Sequence, residues 1–174
     1  LAEPILEVGH VDVRGGGDGE ERHAEAFEVG AKLVLALGDP REVHLIEDHD
    51  RRAVEELGVK AATAFPAGMT PQVPINDKRF YPLYAKCIEL DIPINVCTGI
   101  CGPRVPSACQ DTMLIDEVCW YFPELKFVMR HGAEPWDELA VKLMLKWPNL
   151  YYSTSAFAPK YYPQSIIDFA NTRG

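Results

Sequence analysis

The sequence has no apolar run approaching the roughly 20 residues of a membrane-spanning helix, so no membrane partner is expected. No charged-then-apolar leader opens it, so no secretory signal is expected either. It has no basic excess: 26 acidic residues stand against 17 basic ones, for a net charge of −9. Nucleic acids and anionic lipid surfaces are bound by basic faces, so neither is expected as a partner. No Gly-x-Gly-x-x-Gly and no P-loop follows a strand-like run, which removes dinucleotide and P-loop readings. No Gly-x-Ser-x-Gly elbow surrounds a serine, so a serine hydrolase of that kind has no support. Nor is there a Cys-x-x-Cys pair; Cys97 and Cys101 are spaced too widely for that structural zinc motif. The five cysteines are an odd count, best read as reduced thiols of a cytoplasmic protein rather than a disulfide framework.

What is present is a rhythm. The 174 residues hold one domain with 47% apolar and 25% charged residues, an ordinary soluble composition. Residues 5–13 read as a strand and 14–19 as a glycine-rich loop. Residues 20–37 read as a helix stopped by Gly38-Asp39-Pro40, and 41–57 as an apolar stripe closed by Gly58. Further on, strand-like runs cover 59–65, 92–98, 126–130 and 150–154. Between them, Phe80, Leu83, Tyr84, Cys87 and Ile88 fall on one helical face, as do Trp136, Leu139, Ala140, Leu143, Met144 and Trp147. Leu114, Ile115, Val118 and Phe122 mark a helix between these two, and 165–170 a helix at the end. Strand, loop and helix in alternation predict an α/β fold around a parallel sheet. Ligands of such sheets sit beyond the carboxyl ends of the strands.

Those ends carry the candidates. His131 directly follows Lys126-Phe127-Val128-Met129-Arg130, where imidazole can ligate a metal or move a proton near neutral pH. A turn-closing histidine is the alternative. Cys97 holds the matching place one strand earlier, as a metal ligand, a pocket-lining group or a small buried thiol. Arg104, between Pro103 and Pro106, is a possible carboxylate clamp, since guanidinium matches carboxylate bidentately. Trp136 and Ser155, beyond the last two strands, are expected to help bind substrate. Arg130 is expected to face away from His131 and to pair with an acidic helix residue. The histidines of His44-Leu45-Ile46-Glu47-Asp48-His49 diverge on a helix and read as a solvated acidic face; His10-Val11-Asp12 is a minor metal alternative.

Three segments together resemble a known family. They are Phe122-Pro123-Glu124-Leu125-Lys126-Phe127-Val128-Met129-Arg130-His131-Gly132, then Pro135-Trp136, then Trp147-Pro148-Asn149-Leu150-Tyr151-Tyr152-Ser153-Thr154-Ser155. The block is similar to the amidohydrolase-related branch of the metal-dependent TIM-barrel hydrolases, the group that includes aminocarboxymuconate-semialdehyde decarboxylase. Glu55-Glu56-Leu57-Gly58-Val59-Lys60-Ala61, Phe80-Tyr81-Pro82-Leu83-Tyr84 and Leu90-Asp91-Ile92-Pro93 follow that family's order, and Val8-Gly9-His10-Val11-Asp12 resembles its third strand.

The resemblance implies a (β/α)8 barrel, usually with a divalent metal such as zinc that activates water or orients a carboxylated substrate. His131 matches the family histidine after the sixth strand, a metal ligand or catalytic base. Cys97 takes the place of a ligand histidine after the fifth. The family's His-x-His and its late aspartate have no match. A whole barrel usually needs about 250 residues. The expectation is therefore a partial (β/α)8 barrel, one domain over 1–174 that lacks the first strands and the last. The expected function is metal-dependent hydrolysis, or non-oxidative decarboxylation, of a small carboxylated substrate. The alternative is a non-catalytic or degenerate barrel subunit acting through oligomerisation, and a homo-oligomer suits either. A metal-free Cys97–His131 enzyme is a third reading; it requires a low Cys97 pKa and selective alkylation there.

Overall fold

The computed structural model describes residues 32–34, 54, 56 and 58–173. The strand expected at 5–13, the loop at 14–19 and the acidic histidine segment at 44–49 lie outside them. Strand β1 is Lys32–Val34, which corrects the helix expected over 20–37. An apolar run of this length suits a helix or a buried strand equally. Backbone pairing of Lys32, Leu33 and Val34 with Ala61, Ala62 and Thr63 decides for the strand.

The rest follows the expected rhythm, with shorter strands and a longer final helix. Strand β2 is Ala61–Ala64, helix α1 is Tyr81–Glu89 and strand β3 is Ile94–Cys97. Helix α2 is Leu114–Tyr121, strand β4 is Phe127–Arg130 and helix α3 is Asp137–Lys146. Strand β5 is Leu150–Tyr152 and helix α4 is Gln164–Thr172. Punctuation explains several ends. Pro82 fits the first turn of α1, where its missing N–H costs nothing. Asp137 and Glu138 place negative charge at the start of α3 and Lys146 places positive charge at its end, matching the helix dipole.

The strands are parallel and lie side by side in chain order, β1-β2-β3-β4-β5. A doubly wound sheet reverses direction partway, whereas a barrel adds each strand beside the last. Register separates two faces. Ala62, Ile94, Phe127 and Leu150 form one row, and Ala64, Val96, Met129 and Tyr152 the next. The aliphatic and Phe127 members of both rows are buried in the core. Phe80, Leu83, Tyr84 and Cys87 from the α1 region share that core with Ile115, Val118 and Cys119 of α2 and Ala140 and Leu143 of α3. The buried Tyr84 hydroxyl donates to the Ile75 carbonyl at 2.6 Å, so the polar tip of a core ring is satisfied.

The opposite face carries Thr63, Asn95, Val128 and Tyr151 in one row and Cys97 beside Arg130 in the next. This face is chemically mixed where the other is apolar, so the sheet presents polar groups on the side away from its helices. Among the described residues Arg130 makes no ion pair with a helix carboxylate, although the sequence suggested one. The helices pack on the Met129 side, and Arg130 stands beside Cys97 across the β3–β4 pair, where its guanidinium favours the thiolate.

Candidate functional site

The carboxyl ends of β2 to β5 lead into loops that are tied laterally. Beyond β3, Gly99 N–H donates to the Gln110 carbonyl at 2.9 Å and Ile100 N–H to the Glu134 carbonyl at 2.8 Å. Beyond β4, Gly132 N–H donates to the Ser153 carbonyl at 2.9 Å, and Ser153 N–H to Met129 at 2.9 Å. These ties run from strand to strand, so a side chain on one strand end is held in register with its neighbour.

His131 sits at the turn out of β4 with φ 65°, in the left-handed region. A non-glycine residue held there is uncommon and marks functional segments more often than chance. Its Nδ1 lies 3.0 Å from Ser155 Oγ and 3.2 Å from the Ser155 carbonyl oxygen. Ser153 Oγ in turn donates to Ser155 Oγ at 3.0 Å. A carbonyl only accepts, and two facing lone pairs at this distance would repel. The proton is therefore assigned to Nδ1, which places the imidazole lone pair on Nε2. That is the tautomer a general base or a metal ligand at Nε2 requires, fixed through the second nitrogen.

Of the other expected residues, Cys97 is buried at the end of β3. Burial pushes its thiol above the usual range, and the Arg130 guanidinium partly offsets this. The thiol is thus held largely neutral near pH 7, which opposes the cysteine-nucleophile reading. In native-state labelling, Cys101, which is only half-buried, should react with iodoacetamide well before Cys97. Arg130→Met should slow Cys97 further; mass spectrometry of timed samples reads both effects. Arg104 is exposed in the loop after β3. Trp136 is half-buried and caps α3, its carbonyl accepting from Ala140 N–H at 2.8 Å. The described contacts thus join His131 to Ser155, and Cys97 to Arg130. They do not join Arg104 or Trp136 to either pair.

Three residues carry weight that the sequence did not signal. Ser153 extends the His131–Ser155 contact, and a serine pair two residues apart beside a strand-end histidine was the available clue. Gln110 is fully buried between loops and had no local signature. Tyr152 packs its hydroxyl against Gly132; a Cβ on Gly132 would lie 2.8 Å from it. Burial pushes the Tyr152 phenol up to about 12, although the Ala133 backbone N–H bonded to it favours the phenolate. The sign follows. A phenol raised in the fold contributes stability below its ordinary value of 10.0, and that contribution is lost as pH rises through about 12. Tyr152→Phe should therefore flatten the alkaline fall in the urea midpoint over this window.

Among the described residues no group of three or more His, Cys, Asp and Glu side chains could hold a metal ion. None of the five cysteines forms a disulfide. No described helix is long and apolar enough to cross a membrane.

The comparisons agree with this fold. A family model described as Amidohydrolase matches residues 21–174. The 2-keto-4-carboxy-3-hexenedioate hydratase of a Sphingobium species is 30% identical, over 57% of this chain and 35% of its own length. The chain thus spans about a third of that relative. An uncharacterised TIM-barrel protein from Bordetella bronchiseptica superposes with a TM-score of 0.59 at 25% identity, over 70% of this chain and 42% of its own. With the sequential parallel sheet, this makes the fold a partial (β/α)8 barrel.

Proposed function

Because the chain belongs to the amidohydrolase family, we propose that its strand ends form part of a hydrolase-type site that adds or removes water at a small carboxylated substrate. His131 is the acid/base residue. The observation that carries this reading is the Ser153–Ser155–His131 arrangement, which fixes the imidazole at the strand end through Nδ1. A substrate with several carboxylates is supported by the hydratase relative, whose name describes a keto, carboxy-substituted dioate. That relative favours water chemistry over the decarboxylation that the family also accommodates. Arg130 ends β4 and Arg104 lies in the loop after β3, and each is a candidate partner for a substrate carboxylate.

The family is generally metal-dependent. Zinc suits a histidine and a thiolate, but a catalytic zinc takes about three protein ligands. The described residues do not assemble three, and Arg130 puts a positive charge beside the Cys97 thiol. Among the described residues the donor set therefore does not complete a centre. His131 alone accounts for the proton: in the neutral form Nε2 takes it from water, and as imidazolium it returns it.

The test is turnover by the purified chain on a panel of small unsaturated and keto di- and tricarboxylates and their amides, with and without added zinc or manganese. Water addition or hydrolysis that saturates with substrate is expected. Carbon dioxide release without water chemistry would move the assignment to decarboxylation. No turnover, together with a stable oligomer, would favour a non-catalytic barrel subunit.

A further inference from the structure

Gln110 is the one large polar side chain among the described residues that is wholly buried. It belongs to a single helical turn, Ala108–Gln110, in the loop between β3 and α2. Burying an amide is costly unless both of its ends are bonded. Both are. Its Oε1 accepts from Ala67 N–H at 3.1 Å, in the loop after β2. Its Nε2 donates to the Gly99 carbonyl at 3.1 Å, in the loop after β3. A backbone N–H only donates and a carbonyl only accepts, so the partners dictate which end of the amide is which. The Gln110 carbonyl also accepts from Gly99 N–H, and the next residue, Ile100, donates to Glu134 beyond β4. At the surface Gln72 repeats the tie, with Nε2 at 2.8 Å from the carbonyls of both Ala67 and Pro106.

We propose that Gln110 is a positioning residue that locks the loops after β2 and β3 to one another and, through Ile100 and Glu134, sets their spacing from the His131 turn. It touches no reacting group; it acts through the backbone of Gly99. This rests on reading the strand ends as the site. The chemistry asked of position 110 is one acceptor and one donor at a fixed separation, and few side chains meet it. Leucine has neither. Glutamate has the right shape but, when ionised, turns a lone pair toward the Gly99 carbonyl. Protonated glutamic acid regains the donor.

That last point supplies the experiment. Gln110→Glu is followed in the full chain by NMR-detected amide hydrogen exchange, corrected for intrinsic rates, from about pH 5 up to about pH 7.5. A carboxyl whose pKa is raised in the fold contributes stability at low pH and loses it as pH rises. At the acid end the variant should show wild-type protection. At the alkaline end Ala67, Gly99 and Ile100 should exchange at least about 10-fold faster than wild type, and should do so before the sheet amides Ile94 and Phe127. Wild-type protection of these loop amides across the whole range would overturn the proposal. So would a loss that lowering the pH does not reverse, or one that spreads equally to the sheet. The readout needs no turnover. Its failure would leave the acid/base role of His131 standing, and inactivity of the chain would leave Gln110 a loop clamp without a catalytic site to serve.

Discussion

Replacing His131 with asparagine should lower turnover by about 10²–10⁴-fold, the usual contribution of a positioned acid/base group. Asparagine is the informative choice because the position has φ 65°. Most side chains are strained there, but asparagine tolerates the left-handed region. It also keeps an N–H that can reach the Ser155 carbonyl, which His131 Nδ1 meets at 3.2 Å. Stability should therefore change by less than about 0.5 kcal/mol in urea titrations. His131→Val should lose activity and also stability, since a β-branched residue is an outlier at this φ. Ser155→Ala removes only Oγ and leaves the carbonyl contact, so its effect on turnover should be smaller, at most about 10-fold. Loss of stability without loss of turnover in His131→Asn would make the histidine a turn-closing residue.

The largest effect on the fold is expected at Gly99. Its φ is 83°, and a Cβ there would lie 2.5 Å from the Glu134 carbonyl oxygen and 2.8 Å from the Ala133 carbonyl carbon. Both neighbours are backbone and cannot rotate away. Gly99→Ala thus combines left-handed strain with overlap in a loop that is also tied to Gln110 and Glu134. A cost of about 3 kcal/mol or more is expected from urea unfolding. Gly58 provides the control. Its φ is 67°, but a Cβ there meets nothing within 4 Å. Gly58→Ala should cost only the conformational part, about 1 kcal/mol. Equal costs at the two positions would mean that the close approach of the β3 and β4 loops does not matter.

The strands from β2 onward were legible because each is a short apolar run closed by loop residues, and the helices because their apolar residues recur on one face. The β1 region was not. Its run lies in a stretch with helix-like flanks, and pairing with Ala61–Thr63, distant in sequence, made it a strand. His131 could be picked out because it adjoins a strand whose end it marks. Alternation placed Arg130 away from His131, but it could not say that the helices would pack on the other face and leave Arg130 beside Cys97. Gln110 was invisible because its two side-chain bonds join residues 43 and 11 positions away. No local pattern encodes such a tie.

The account stands on His131 being the proton-handling group of a carboxylate site, and one measurement addresses that directly. The imidazole resonances of the five histidines can be followed by NMR as the full chain is titrated with 2-oxoglutarate, a small keto-dicarboxylate probe. A saturable shift at His131 that is absent in His131→Asn is expected. Saturable probe binding with His131 silent would contradict the assignment.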